Sequence, residues 1–289
     1  MNDKGGNAAV TYRLLALSID GAVLRSNGRM AKETKEAIDF VRNKGVYVTL
    51  ITNRTHHGAK KVAKLLKMEH EIISHGGAFI AGHVEKPIYE ARMNPDLTYD
   101  VVEILERFSC QVQVENERFE LANRHQQSKN LLGKMSVGLS ESLFYPKTYV
   151  DNLTGHIFDH QIGALKIKGN FESREESKEA FEDLNHSIPG IKVRRKEQEL
   201  EICREEASKE NALAFLIREL GIQSEEVVMV GSKPDDIPSL KMTGLGVAMG
   251  QSPEEVKAEA NWITRSNNQN GVPYMIKEVF RKQMKVDQP

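Results

Sequence analysis

Residues 46–52 (VYVTLIT) restrict the fold more than any other stretch of the chain. A half-exposed strand alternates apolar and polar residues. This run is β-branched and apolar almost throughout, the pattern of a central parallel strand covered on both faces. Parallel neighbours need crossover helices, and the flanks supply them. The apolar run 13–19 precedes a helical pattern with Ala37, Ile38 and Val41 on one face and Gly45 as its stop. A polar turn, a helix ending near Leu66 and a short strand at Ile72 and Ile73 follow. This alternation predicts an α/β, doubly wound parallel sheet.

The rhythm returns toward the C-terminus. Residues 208–220 read as a helix with Ser208 as candidate N-cap, an apolar face of Leu213, Leu216 and Leu220, and Gly221 past its end. A strand over 227–230, a helix through Met242, a strand over 245–248, a helix opening at Ser252-Pro253, a strand around Trp262 and a final helix from Gly271 complete the set. Trp262 reads as core. Between about residues 83 and 195 the pattern changes to an α+β module. It has helices over 97–108 and 173–186 and strand-like runs at 111–114, 118–121, 164–168 and 191–195. Residues 123–160 hold no period, and no internal repeat occurs. The expected organisation is a discontinuous α/β core over 11–82 and 196–284, an inserted α+β domain over 83–195, and a tail over 1–10.

Composition narrows the partners. Forty basic residues stand against 41 acidic ones, a net charge of -1, which excludes the broad basic footprint of a general nucleic-acid binder. The hydrophobic fraction of 39% supports a real core. Apolar stretches are strand-length, short of the roughly 20 residues of a membrane helix, and the N-terminus lacks a signal-peptide layout. Two distant cysteines, Cys110 and Cys203, suit neither a disulfide scaffold nor a zinc module. A soluble cytoplasmic protein with no membrane or nucleic-acid partner is expected.

Ligands of an open parallel sheet bind beyond the carboxyl ends of its strands. Three polar strand ends stand there: Ser18-Ile19-Asp20-Gly21, Thr52-Asn53-Arg54, and 231–236 with Ser232, Lys233, Asp235 and Asp236. Lys209 opens the helix before the last of these. Hydroxyls and backbone N–H groups to cradle oxygens, a cation to neutralise them and carboxylates to hold a metal would make a phosphate pocket. Each piece alone has a plainer reading. Asp20-Gly21 is a turn, Asp235-Asp236 a helix start, Thr52-Asn53 a cap and Lys209 a solvated lysine. Their joint placement favours the pocket. Among the nine histidines, His56-His57 and the pair His156 and His160 suggest metal ligands, but Gly155 and Gly163 place the latter pair in a loop. The basic run 192–196, offset by Glu197, Glu199 and Glu201, reads as solvated strand.

In this order the segments resemble those of a known family. Residues 14–24 (LLALSIDGAVL) resemble motif I of the haloacid dehalogenase superfamily, usually D-x-D-G-T-L. Residues 51–54 (ITNR) resemble motif II, and 208–213 (SKENAL) the motif III helix, usually S-K-G-x-A-L. Residues 230–236 and 244–250 (GLGVAMG) resemble motif IV, usually G-D-x-x-N-D, and its downstream strand. The tail 267–276 (NNQNGVPYMI) is similar to the ending of the Cof-type branch. The resemblance runs from about residue 13 to 281 and implies a Rossmannoid core with a cap inserted after the third strand. It further implies a Mg²⁺-dependent phosphatase of phosphorylated sugars and small metabolites, whose first motif I aspartate attacks phosphorus.

The resemblance departs at the chemistry. Ser18 stands at the nucleophile position, Ala22 at the motif I threonine, Ser232 at the metal-binding aspartate, Asp235 at the motif IV asparagine and Gly76 at the asparagine after the third strand. Asp20, the general acid/base, is retained, with Thr52, Lys209 and Asp236. Thr52, Asn53 and Lys209 are the implied phosphate contacts. Asp20, Ser232, Asp235 and Asp236 are the implied metal positions, degenerate at Ser232. A phosphoserine is a stable ester where an acyl phosphate is labile, and serine needs a base. Asp20 lies roughly 6–7 Å farther along an extended strand, off the in-line position. Losing carboxylates at 18 and 232 weakens or removes a Mg²⁺ site. The expected function is therefore a catalytically impaired family member that binds a phosphorylated small molecule or phosphate, with a regulatory role under stress. Two alternatives stay open: a weak or altered Mg²⁺-dependent phosphatase using Asp20, Asp235 and Asp236, and an interaction protein with a vestigial pocket.

Overall fold

The computed structural model describes residues 11–82, 86–124, 146–287 and 289. β1 (Leu14–Ser18) lies inside an eight-stranded sheet, between β2 (Tyr47–Ile51) and β12 (Val227–Gly231), parallel to both. All three strands are buried at every residue, as a run without polar alternation requires. In register, Leu17 sits beside Leu50 and Val230, and Ser18 beside Ile51. The carboxyl ends of the three strands therefore finish level. β13 (Leu245–Ala248) and β14 (Trp262–Ile263) continue the sheet past β12. On the other side β3 (Ile72–Ser74), β4 (Phe79–Ala81) and β5 (Pro87–Glu90) complete it, the last two as an antiparallel pair.

Contacts divide the chain into two units. One comprises the described parts of Met1–Thr52, Val62–Ile72 and Lys209–Pro289; the other comprises those of Asn53–Lys61 and Ile73–Ser208. In the first, α1 (Lys32–Asn43) buries Ile38 and Val41 and packs against α9 (Gly271–Phe280), which buries Val272, Met275, Ile276 and Phe280. α6 (Lys209–Glu219) leads into β12 and α7 (Ile237–Met242) into β13, the crossovers a parallel sheet needs.

The second unit has its own sheet of six strands. Its order is β10 (Ile191–Lys196), β11 (Glu199–Arg204), β9 (Lys166–Phe171), β6 (Cys110–Glu115), β7 (Glu120–Asn123) and β8 (Lys147–Val150). Every pairing is antiparallel except β7 with β8. α3 (Pro95–Leu105), α4 (Leu153–His160) and α5 (Arg174–Ser187) contribute Val101, Leu105, Ile157 and Leu184 to a core shared with Val112, Ile167 and Ile202. Each of these helices is capped by a side chain, from Asn94, Asn152 and Ser173.

The structure departs from the expectations in particular places. Residues 196–208, assigned to the α/β core by pattern, contain β11 and fall in the second unit, where Leu200 and Ile202 join the core. Residues 53–61 and 73–82 go with that unit as well. His156 and His160 lie on a helix, not in a loop: Asn152 Oδ1 accepts from Gly155 N at 2.8 Å. A Cβ at Gly155 would lie 2.3 Å from Asn152 Nδ2, so the glycine read as a breaker makes room for the cap. Trp262 is half-buried rather than core, its ring 5.9 Å from Tyr274. Of the patternless stretch 123–160, residues 125–145 lie outside the described residues. The 192–196 run is a largely exposed edge strand. Both cysteines are unpaired and buried, and burial pushes the Cys110 thiol up to about 12. Among the described residues no helix is long and apolar enough to cross a membrane.

Candidate functional site

The polar strand ends meet at the level carboxyl edge of β1, β2 and β12. Ser18 closes β1 and Thr52 follows β2, each with 2% of its surface exposed. Past Ser18 the chain turns back on itself: Val23 N donates to the Ser18 carbonyl and Leu24 N to that of Ile19. Gly21 makes this turn at φ +83°, and a Cβ there would lie 2.4 Å from Ser232 Oγ. Gln251 Nε2 holds the Gly21 carbonyl at 2.6 Å. Ser232 Oγ, just past β12, donates to the Asp20 carbonyl at 2.9 Å, so the ends of β1 and β12 are tied together.

The loop after β12 wraps around one carboxylate. Asp236, fully buried, accepts at Oδ2 from the backbone N–H groups of Ser232 (2.8 Å) and Lys233 (3.1 Å). Its Oδ1 lies 2.7 Å from Lys209 Nζ, and the same ammonium is 2.9 Å from Asp235 Oδ2. Gly231 makes the tuck possible, since a Cβ there would lie 2.6 Å from the Asp236 Cβ. Lys209 is 5% exposed. Burial alone lowers an ammonium's pKa, but Asp236 and Asp235 outweigh it and hold Lys209 above the ordinary lysine value. Lys209, read alone as a solvated lysine, is instead a buried bridge between two carboxylates.

Thus Lys209, Ser232, Asp235 and Asp236 come together, with Asp20 joined through its carbonyl. Ser18 and Thr52 close the neighbouring strands. Asn53 opens the other unit, where Lys166 Nζ reaches its carbonyl at 3.5 Å.

The motif IV carboxylates are largely engaged by partners other than an ion. Mg²⁺ needs near-octahedral oxygen ligands, with one or two carboxylates open to it. Both Asp236 oxygens are taken, by an ammonium and by two backbone N–H groups, and the Asp235 oxygen nearest them faces the same ammonium. Hydroxyls stand at 18 and 232. Among the described residues no group of three or more His, Cys, Asp or Glu is placed to hold a metal.

A second polar cluster, announced by no motif, lies inside the other unit. Glu115 is 2.5 Å from Lys168 Nζ, and Lys166 Nζ is 3.3 Å from Glu201. Burial raises the Glu115 carboxyl, but Lys168 and Lys166 outweigh it and bring it to about 2. His75 accepts at Nε2 from His56 N (3.0 Å), which puts its proton on Nδ1, 3.9 Å from Glu115. Burial depresses His75 to about 3, so it is neutral and makes no ion pair there. The one sequence signal for this cluster was period two: Lys166 and Lys168 share a face of β9, opposite Glu115 and Gln113 of β6.

Comparison with known proteins agrees with this frame. The model of the haloacid dehalogenase-like hydrolase family matches residues 15–276. The stress response protein YhaX of Bacillus subtilis is 39% identical over 277 residues, 96% of each chain. Phosphatase YwpJ of the same organism is 26% identical, over 93% of this chain and 100% of its own. The crystal structure of a haloacid dehalogenase-like hydrolase from Bacteroides thetaiotaomicron aligns with a TM-score of 0.79 at 21% identity, across 93% of this chain and 100% of its own. The structural likeness shows a shared fold.

Proposed function

The chain belongs to the haloacid dehalogenase-like hydrolases, in their Cof-type branch, and from that premise we propose that it is a catalytically impaired member that binds a phosphorylated small molecule or phosphate. One observation carries the reading: Lys209 bridges Asp235 and Asp236 at strand ends where Ser18 and Ser232 stand at the positions the family fills with carboxylates. Where the family places a nucleophilic carboxylate, Ser18 would give a phosphate ester that does not hydrolyse readily. Its proton would need a base, and Asp20 is the carboxylate nearest in sequence. Mg²⁺ takes no part in this reading, because Lys209 and the loop N–H groups engage both oxygens of Asp236 and one of Asp235.

What remains suits an anion. An ammonium has three donors; two of those on Lys209 go to Asp236 and Asp235, and in this reading the third meets a phosphoryl oxygen, with Ser18 and Thr52 at the neighbouring strand ends as further contacts. A role under stress is supported by the name of the YhaX relative. The relatives named phosphatases support the second reading, a slow or altered phosphatase working through Asp20.

Purified wild type and a Ser18→Asp/Ser232→Asp variant, each assayed on an aryl phosphate with Mg²⁺ and titrated with inorganic phosphate, separate these readings. The impaired reading expects phosphate uptake by the wild type and turnover only in the variant. Turnover already present in the wild type would support the second reading. Neither binding nor rescue would leave an interaction protein with a vestigial pocket.

A further inference from the structure

α4 sets His156 and His160 one turn apart, the spacing that brings two side chains onto one helix face. Their rings stack with centroids 4.2 Å apart and planes 21° from parallel. His160 Nδ1 lies 3.2 Å from the His156 carbonyl oxygen. A carbonyl only accepts, so this contact places the neutral ring's proton on Nδ1 and its lone pair on the distal Nε2. A metal-binding imidazole is held in this way, with one nitrogen donating to a backbone carbonyl and the other turned to the ion. His160 is exposed and His156 half-buried, while Leu153 and Ile157 anchor the opposite face of α4 in the core. The helix therefore presents the pair from a fixed base, and its folding does not depend on an ion.

We propose that His156 and His160 form a binding site for a divalent transition-metal ion of the Zn²⁺ class, distinct from the strand-end pocket in the other unit. In the proposed site the two Nε2 atoms supply a pair of ligands at the usual Zn–N distance of about 2.0–2.1 Å, and water completes the tetrahedron. Imidazole selects Zn²⁺, Ni²⁺ and Cu²⁺ over Mg²⁺ and Ca²⁺, which prefer oxygen. With two protein ligands the site is open, so the ion exchanges rather than staying as a structural staple.

The test is calorimetric titration of the untagged full-length chain with Zn²⁺, beside His156→Ala, His160→Ala and, as a control on an exposed histidine elsewhere, His186→Ala. One equivalent should bind with micromolar affinity. Either substitution in the pair should weaken it roughly tenfold or more, and His186→Ala should leave it unchanged. His160 is exposed, so its variant keeps the fold, and unchanged circular dichroism verifies this. Uptake that survives in both α4 variants, or no saturable uptake by the wild type, overturns the site. Mg²⁺ in place of Zn²⁺ should give no heat attributable to the pair.

Discussion

Replacing Lys209 by methionine keeps the bulk of the side chain and removes its charge, leaving the buried Asp236 without its ammonium partner. Stripping one partner from a buried pair costs about 3–5 kcal/mol, so a lowered denaturant midpoint is the expected outcome. A shift of under about 1 kcal/mol would show the bridge to be weakly coupled to folding. The pair holds the folded pKa of Lys209 above its unfolded value, so this contribution is full at neutral pH and lost as pH rises past the lysine range. The residues at strand ends were readable because serine and aspartate interrupt apolar runs. The burial of Lys209 was not, since the carboxylates that bury it lie 26 and 27 positions later and reach it only through the β12 loop. His75 was hidden for the opposite reason: a histidine beside an apolar run looks like core, and nothing local announces Glu115 as its neighbour.

Among the elements, α4 separates what local pattern can tell from what it cannot. Its period is short and Gly155 sits in its first turn, so propensity argues against it, yet the Asn152 cap and the burial of Leu153 and Ile157 outweigh that cost. Asn152→Ala should lower stability by about 1 kcal/mol, read from urea unfolding, and should raise amide exchange in the first turn of α4 above that in α3. Equal exchange in the two helices would place the helix's support in packing alone. β11 carries the complementary lesson. Glu199 and Glu201 make it polar on one face, and only pairing with β9 and β10 reveals that Leu200 and Ile202 complete a core. By contrast β1, β2 and β12 were legible, because strands covered on both faces leave no alternation to misread.

For the whole molecule, acid is the informative perturbation. Burial keeps His75 neutral down to about 3, whereas an unfolded histidine protonates near 6.5. The unfolded chain therefore takes up a proton that the folded one refuses, and stability falls as pH drops below about 6.5. Glu115 is held ionised to about 2, so its contribution, full above the ordinary carboxylate range, is lost as pH falls from about 4.5 toward 2. Urea midpoints for His75→Gln should be flatter than wild type between about pH 6.5 and 4.5, and a slope identical to wild type would remove His75 from the account. Strand–helix alternation returns in sequence after residue 208, and those residues group by contact with the described part of Met1–Thr52. The boundaries between the units were not legible in this pattern, because residues 53–61 and 196–208 obey the α/β pattern in sequence while their contacts lie with the other unit.

The pairing of β1 with β12 also has a consequence for synthesis. Leu14 and Val227 are neighbours in register, so β1 has one edge unpaired until a segment more than two hundred residues later is made. At roughly 5–20 residues per second, that wait is on the order of ten to forty seconds. The six-stranded unit encoded in between has time to form first. β1, apolar on both faces, spends the interval as the segment of the nascent chain most in need of a chaperone.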